Sequence, residues 1–305
     1  MQSIRNKCGE VLEHVADYNA SIVFLSETWM EADKNDITAM VKSYGYTLLH
    51  DRRRDREKEI GGGVGVLVKT SMLRKHLKGK TFSSFEHTMV SVKLTNNTKL
   101  ILISLYRLQF ISAGVFLKEF TEFLEILSIM PEDFVLSGDI NFHLETNDCN
   151  VLSLHNLWNS FNLIQHVHFP THKLGHTLDI VLTRDTLKIT NLVSNNAQLS
   201  DHYMIIFDID AEVLKYEEKS ISYRNIKTVD EKLFSNELKQ KLLNDKSSTF
   251  GERVHRYNSV LKDMVQDYAP MQTKTIKVVP KAPWFDTEYK ELRKLRRKAE
   301  KRYKQ

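Results

Sequence analysis

The chain has 305 residues, 41% hydrophobic and 27% charged, a composition that supports a globular core and excludes wholesale disorder. The 11 glycines and 5 prolines exclude collagen-like and low-complexity architectures, and the 2 cysteines, Cys8 and Cys149, are too few for a disulfide framework or a cysteine-rich zinc module. The net charge of +5 is concentrated at one end, where residues 281–305 carry ten Lys and Arg against four Asp and Glu, while the rest of the chain carries 34 against 35. Such a tail suits a polyanionic partner and equally suits a solvated helical face. The first ten residues lack the apolar centre of a signal peptide, and no apolar run approaches the ~20 residues of a membrane span, so the sequence predicts a soluble intracellular protein.

In chain order, Ile4, Cys8, Val11, Leu12, Val15 and Tyr18 recur at helical spacing. The run Ile22-Val23-Phe24-Leu25 is short enough for a buried strand and ends in Ser26-Glu27-Thr28-Trp29. Strand-like texture returns at residues 64–68, 89–94, 100–105, 134–136, 180–182 and 203–209. Between these, Phe116, Phe120, Phe123, Leu124 and Leu127 form the stripe of an amphipathic helix, and Leu154, Leu157, Trp158 and Phe161 suggest another. Strands alternating with helices predict a mixed α/β domain over residues 1–211. Phe234 and Leu238, then Val254, Tyr257, Leu261, Met264 and Tyr268, predict a helical extension over 212–268. Three prolines predict an extended linker over 269–283, followed by a basic helix over 284–305 whose sparse stripe is Tyr289, Leu292, Leu295, Ala299 and Tyr303.

Polar residues collect where apolar strands begin or end. Glu27 follows 22–25, Tyr106-Arg107 follows 100–105, Ser137-Gly138-Asp139-Ile140-Asn141 follows 134–136, Asp179 opens 180–182, and Ser200-Asp201-His202 precedes 203–209. Singly, each has an ordinary structural explanation as a turn, a solvated strand end or a satisfied buried group. Together, on one rim of a sheet structure, they can converge on one cleft. The chemistry that suits them is phosphodiester hydrolysis. Glu27 offers an oxygen ligand to Mg²⁺, and Asp139 can orient and deprotonate a water. Asn141 and His202 can donate to the phosphate, with Asp179 fixing the imidazole and favouring its protonated form, and Tyr106 adds a hydroxyl donor. Gly61-Gly62-Gly63-Val64-Gly65 lacks the Lys-Ser/Thr ending of a nucleotide-binding loop and reads as tight strand entry.

These residues resemble the endonuclease/exonuclease/phosphatase superfamily, and within it the endonuclease of LINE-type non-LTR retrotransposons. The resemblance is carried by Phe24-Leu25-Ser26-Glu27-Thr28-Trp29, Gly61-Gly62-Gly63-Val64, Tyr106-Arg107, Ser137-Gly138-Asp139-Ile140-Asn141, His176-Thr177-Leu178-Asp179 and Ser200-Asp201-His202, over residues 1 to about 210. Pro283-Trp284-Phe285 and the basic helix resemble the segment that joins endonuclease to reverse transcriptase. The resemblance implies a four-layered α/β sandwich, two sheets face to face with helices outside. It also implies a nuclear enzyme that nicks DNA with Mg²⁺, or Mn²⁺ as the alternative ion, and leaves a 3′-hydroxyl. By the family pattern Glu27 is the metal ligand with Asp201 near the metal, and Asp139 and Asn141 position water and phosphate. Asp179 and His202 form the carboxylate–histidine pair, Tyr106 meets the phosphate, and Thr171 and Arg107 lie at the DNA-facing surface.

The family pattern opens with a strand ending in asparagine, just before a segment like Gln2-Ser3-Ile4-Arg5-Asn6-Lys7. The sequence begins at Met1 and ends at Gln305, so the expectation is a sandwich truncated at both ends, without that first strand. Tyr106-Arg107-Leu108 also lacks the proline often found after Tyr-Arg. Three readings follow: a Mg²⁺-dependent DNA endonuclease, a catalytically weak or inactive retrotransposon remnant that at most binds nucleic acid, and a phosphodiesterase acting on inositol phosphates or phospholipids.

Overall fold

The computed structural model describes residues 4–30, 35–51, 62–243, 249–278 and 287–303. The chain divides into two compact units, Met1–Lys215 and Tyr216–Gln305.

The first unit contains, in chain order, α1 (Ile4–Asp17), β1 (Ile22–Leu25), α2 (Asn35–Ser43), β2 (Tyr46–Asp51), β3 (Val64–Lys69), β4 (Arg74–Leu77), β5 (Phe85–Lys93) and β6 (Lys99–Arg107). It continues with α3 (Ala113–Ser128), β7 (Asp133–Asp139), α4 (Cys149–Ser160), β8 (Leu163–Gln165), β9 (Asp179–Arg184), β10 (Ile189–Asn195) and β11 (Met204–Ile209). A six-stranded sheet has the order β4-β5-β6-β7-β9-β8, in which β6 and β7 are parallel and the other pairs antiparallel. Opposite it lie two smaller sheets, β1-β3-β2 and β10-β11.

The continuous apolar run of β6 follows from burial on both faces. Ile101, Ile103 and Leu105 pack with Phe116, Phe120 and Phe123 of α3 and with Leu154 and Trp158 of α4. The alternate residues Leu100 and Leu102 pack instead with Val66 and Val68 of β3, against which Ile205 and Phe207 of β11 also lie. On the far side of the small sheet, Leu25 and Leu67 meet Leu12 and Val15 of α1 and Val41 of α2. These three cores give four layers, helix, sheet, sheet and helix, the α/β sandwich expected from the sequence. β1 and β11 are edge strands of their sheets, and both line a cavity of about 800 Å³ that reaches Asp179 and His202.

The first unit runs to Lys215, four residues beyond the expected boundary at 211. The extra residues are held by backbone bonds from Leu73 N to Leu214 O (3.1 Å) and from Leu214 N to Lys93 O (2.7 Å). In the second unit, β12 (Glu217–Arg224) pairs antiparallel along its full length with β13 (Met271–Val278). The span 269–283, expected as an extended linker, therefore contains a paired strand, and the span 212–268 is not wholly helical. α5 (Glu231–Leu243) and α6 (Phe250–Tyr268) meet where Phe234 and Tyr268 form an edge-to-face pair at 5.3 Å, and the Tyr268 hydroxyl donates to Glu237. α6 begins with a capping box between Thr249 and Glu252. α7 (Thr287–Tyr303) is the expected basic helix, and its described side chains are exposed. Trp284, Phe285, Gly61 and the run Arg52-Arg53-Arg54-Asp55-Arg56, whose charge makes it a weaker second candidate for phosphate contact, lie outside the described residues.

Candidate active site

The inner face of the large sheet carries its apolar residues only part of the way along. In β6 the sequence of inward residues is Leu100, Leu102, Ser104, Tyr106, so the same two-residue period that builds the core delivers a phenol to the rim. β7 does likewise with Val135, Ser137 and Asp139, and β9, running the other way, opens with Asp179 before Val181. The register sets Tyr106 opposite Asp139 and Asp139 opposite Asp179. Three polar residues thus form a row across adjacent strands, at the carboxyl ends of β6 and β7 and the amino end of β9.

The small sheets close on both ends of this row. Ser104 Oγ donates to Leu25 O at 2.9 Å and ties the end of β1 to β6, and two residues further along the same strand face the Tyr106 hydroxyl donates to Glu27 Oε1. Glu27 has φ +53° and Trp29 +51°, a region that costs non-glycine residues energy and persists where surroundings enforce it. Here the enforcement comes from the glycine turn: Thr28 N donates to Gly63 O (3.0 Å), Trp29 N to Gly62 O (2.8 Å), and Gly63 N to Glu86 Oε2 (2.6 Å). Thr28 Oγ1 is in turn hydrogen-bonded to His50 Nε2 at 2.7 Å. Glu86 and His50 escaped the sequence reading. Glu86 stands directly opposite Tyr106 in the β5–β6 register, a polar strand-end residue of the kind that could have flagged it.

At the other end of the row, His202 Nδ1 donates to Asp179 Oδ2 at 2.8 Å, and its Nε2 lies 3.7 Å from Asp139 Oδ2. Ser200 Oγ accepts from His202 N at 3.0 Å and donates to His202 O at 3.1 Å, which sets the turn ahead of β11. Asp201 faces His172 at 3.6 Å, a histidine that sequence reasoning left without a role. Asn141, with φ +51°, follows Asp139 closely enough for its N–H to donate to Asp139 Oδ1 at 2.9 Å. Its Nδ2 donates to Arg107 O (3.1 Å) and its Oδ1 accepts from Gln109 (2.5 Å), so one amide hydrogen is left for a ligand.

Burial and the neighbouring Asp179 carboxylate push the Asp139 carboxyl up to about 7, against the pull of His202 and of the Asn141 N–H. Burial works against the charged form of His202, yet the hydrogen bond and charge of Asp179, with Asp139 beyond, raise its affinity for a proton. Asp201 moves down: partial burial is outweighed by backbone bonding and by His202 and His172. The row therefore holds a carboxyl poised to exchange protons near neutrality beside an imidazole whose protonated form is favoured, a pairing suited to moving one proton while donating to an anion.

Two expected DNA-facing residues are buried instead. Thr171 is fully buried, and its Oγ1 accepts from Leu178 N (3.0 Å) and Asp179 N (3.3 Å), which fixes the start of β9. Arg107 is 7% exposed, lies 4.3 Å from the Phe142 ring centroid, and donates to the carbonyls of Asn141 (3.2 Å) and Ile111 (3.0 Å). Both position neighbouring residues: the Thr171 hydroxyl oxygen and the two terminal guanidinium nitrogens of Arg107 are engaged with the backbone, while Arg107 Nε is buried without a partner among the described residues.

Glu27 offers carboxylate oxygens, steadied by the Tyr106 phenol, and such hard donors fit a divalent ion that keeps most of its waters. The three-residue groups with converging ligand atoms are His172/Asp201/His202, Asp139/Asp179/His202 and His143/Glu145/His176; among the described residues none includes Glu27.

The family model described as endonuclease/exonuclease/phosphatase matches residues 8–202. Among solved structures, the endonuclease domain of TRAS1, a telomere-specific non-LTR retrotransposon, is similar with a TM-score of 0.54 at 14% identity, over 68% of this chain and 94% of that one. The human Nocturnin catalytic domain with bound sulfate is similar with a TM-score of 0.51 at 12% identity, over 68% and 88%. Among curated proteins none matches in sequence.

Proposed function

The chain belongs to the endonuclease/exonuclease/phosphatase family of hydrolases, and from that premise we propose that it is a Mg²⁺-dependent DNA endonuclease that hydrolyses one phosphodiester and leaves a 3′-hydroxyl. The observation that carries the proposal is the unbroken chain Glu27–Tyr106–Asp139–Asp179–His202, assembled from five strand ends on one rim. The likeness to a retrotransposon endonuclease domain supports DNA as the substrate, and the exposed basic helix α7 offers cations to its phosphates.

Asp139 orients the attacking water and takes its proton, a role matched to a carboxyl poised near neutrality. His202, its protonated form favoured by Asp179, donates from Nε2 to a phosphoryl oxygen, and the remaining amide hydrogen of Asn141 donates to a second. Glu27 would hold Mg²⁺, which when bound supplies positive charge at the phosphoryl and leaving oxygens. The Tyr106 hydroxyl, by donating to Glu27, fixes the direction of that carboxylate.

Relaxation of supercoiled plasmid on a gel tests the reading. Nicking should require Mg²⁺, stop with chelator, and fall about 10²–10⁴-fold in His202→Ala, the usual worth of a general acid–base or charged donor. Relaxation indifferent to chelator and to His202→Ala would remove the assignment. Turnover of an inositol phosphate or phospholipid with DNA untouched would keep the site and change the substrate.

The glycine turn yields a separate expectation. A Cβ at Gly63 would stand 2.7 Å from Thr28 Oγ1 and 2.9 Å from His50 Nε2, at φ +83°. Gly63→Ala should therefore displace the Glu27 segment and raise the Mg²⁺ concentration for half-maximal nicking by about tenfold, as misplacement of a positioned group does. Unchanged Mg²⁺ dependence in a folded variant would show that Glu27 does not hold the ion.

A further inference from the structure

The loop after β7 runs through Asn141, Phe142, His143, Leu144 and Glu145, and a turn closed by Thr146 N donating to His143 O (3.0 Å) holds His143 and Glu145 beside each other. The turn before β9 supplies His176. Backbone bonds zip the two segments together, Leu144 N to Thr177 O (3.0 Å) and Ile140 N to Leu178 O (3.0 Å), so the three side chains meet on a preformed frame. Thr177 N donates to Glu145 Oε2 at 2.9 Å, which leaves Oε1 facing both imidazoles: 2.7 Å from His176 Nδ1 and 3.5 Å from His143 Nδ1. The ligand atoms all lie within 4.8 Å of one another, with the ring centroids of His143 and His176 4.0 Å apart.

We propose that His143, Glu145 and His176 form a second metal site, for a borderline transition cation of the Zn²⁺ class, distinct from the hard-ion position at Glu27. Zn–N and Zn–O bonds of about 2.0–2.2 Å in a tetrahedron place ligand atoms about 3.3–3.5 Å apart. The His143–Glu145 spacing already has that value, and the His176–Glu145 spacing must open by roughly half an ångström as the ion replaces their hydrogen bond. The His176 ring proton then moves from Nδ1 to Nε2, so no charge is lost from the site. Two imidazole nitrogens and one carboxylate oxygen select such ions over Mg²⁺, which prefers oxygen alone. All three side chains reach solvent, leaving the remaining coordination position to water. An ion there would pin the loop that carries Asn141 to the turn that leads into Asp179. The site stands whether or not DNA is the substrate.

The test is Zn²⁺ binding by equilibrium dialysis in millimolar Mg²⁺, on the full chain and three variants. The full chain should retain one equivalent. His143→Ala and His176→Ala should weaken binding at least about tenfold, since even outer partners of metal ligands are worth that much. His202→Ala removes the imidazole shared by the other two candidate groups and should leave the equivalent in place. His143 is exposed, and among the described residues its side chain meets Glu145 and His176, so its truncation is expected to leave the fold intact, which far-ultraviolet circular dichroism checks. Absence of retained Zn²⁺, undiminished affinity in His143→Ala, or loss of binding in His202→Ala would each overturn the proposal.

Discussion

Asp139→Asn is expected to lower plasmid nicking by about 10³-fold or more while making the protein more stable above neutral pH. The amide keeps the shape of the carboxyl and can still accept from Asn141 N, but it takes no proton from water. The gain in stability follows from the sign of the shift. The folded protein moves the Asp139 carboxyl from 3.8 to about 7, so it favours the protonated form. The stability tied to that form is fully present below about pH 4 and is lost as pH rises through about 7. Asparagine is neutral throughout, so the difference between variant and parent should be near zero at pH 4 and largest at pH 8. Its ceiling is on the order of a few kcal/mol, a figure that already includes the opposing pull of His202, whose Nε2 lies 3.7 Å away. Activity of the parent should rise through the same range as Asp139 ionises. Melting temperatures at pH 4.5 and pH 8 decide the matter: a variant that loses stability at pH 8 would show that the Asp139 charge is welcome where it sits.

That trade-off depends on the row of strand-end residues, and the row was legible because polar side chains interrupt apolar runs at the same relative point. The helix α3 stripe was legible for a similar reason: Phe116, Phe120, Phe123, Leu124 and Leu127 are all buried at the spacing that marks them. Other elements carried no such signal. β4 is Arg-Lys-His-Leu, half-exposed at a sheet edge, with a single apolar residue, Leu77, and so no alternation to announce it. β13 was hidden by prolines nearby in the sequence, which read as linker; Pro270 immediately precedes the strand, so it stands outside the ladder without breaking it. Thr171 and Arg107 sit beside site residues in sequence yet point into the backbone, and burial of that kind has no one-dimensional mark. His143 and Glu145 meet His176 only because Leu144 pairs with Thr177 across more than thirty residues of chain.

The row is also where a single methyl group should do the most damage. Gly138 lies between Ser137 and Asp139 in β7, opposite Leu105 of the parallel strand β6. A Cβ there would fall 1.8 Å from Leu105 O, 2.7 Å from Leu105 C and 2.9 Å from Leu105 N. All three are backbone atoms in the middle of the largest sheet, so no rotamer change relieves the clash; the two strands must part. Parting them breaks the next pair along, Tyr106 with Asp139, and with it the geometry of the site. Gly138→Ala should therefore cost more than about 3 kcal/mol, beyond the usual range for overpacking, and remove nicking together with stability. Gly114, in the first turn of α3, has nothing within 4 Å of its Cβ position and serves as the control. Gly114→Ala should leave the urea midpoint unchanged or slightly raised, since alanine is the better helix former. A Gly138→Ala midpoint equal to that of the parent would mean that β6 and β7 do not approach each other at Leu105, and the parallel register that aligns Tyr106 with Asp139 would have to be withdrawn.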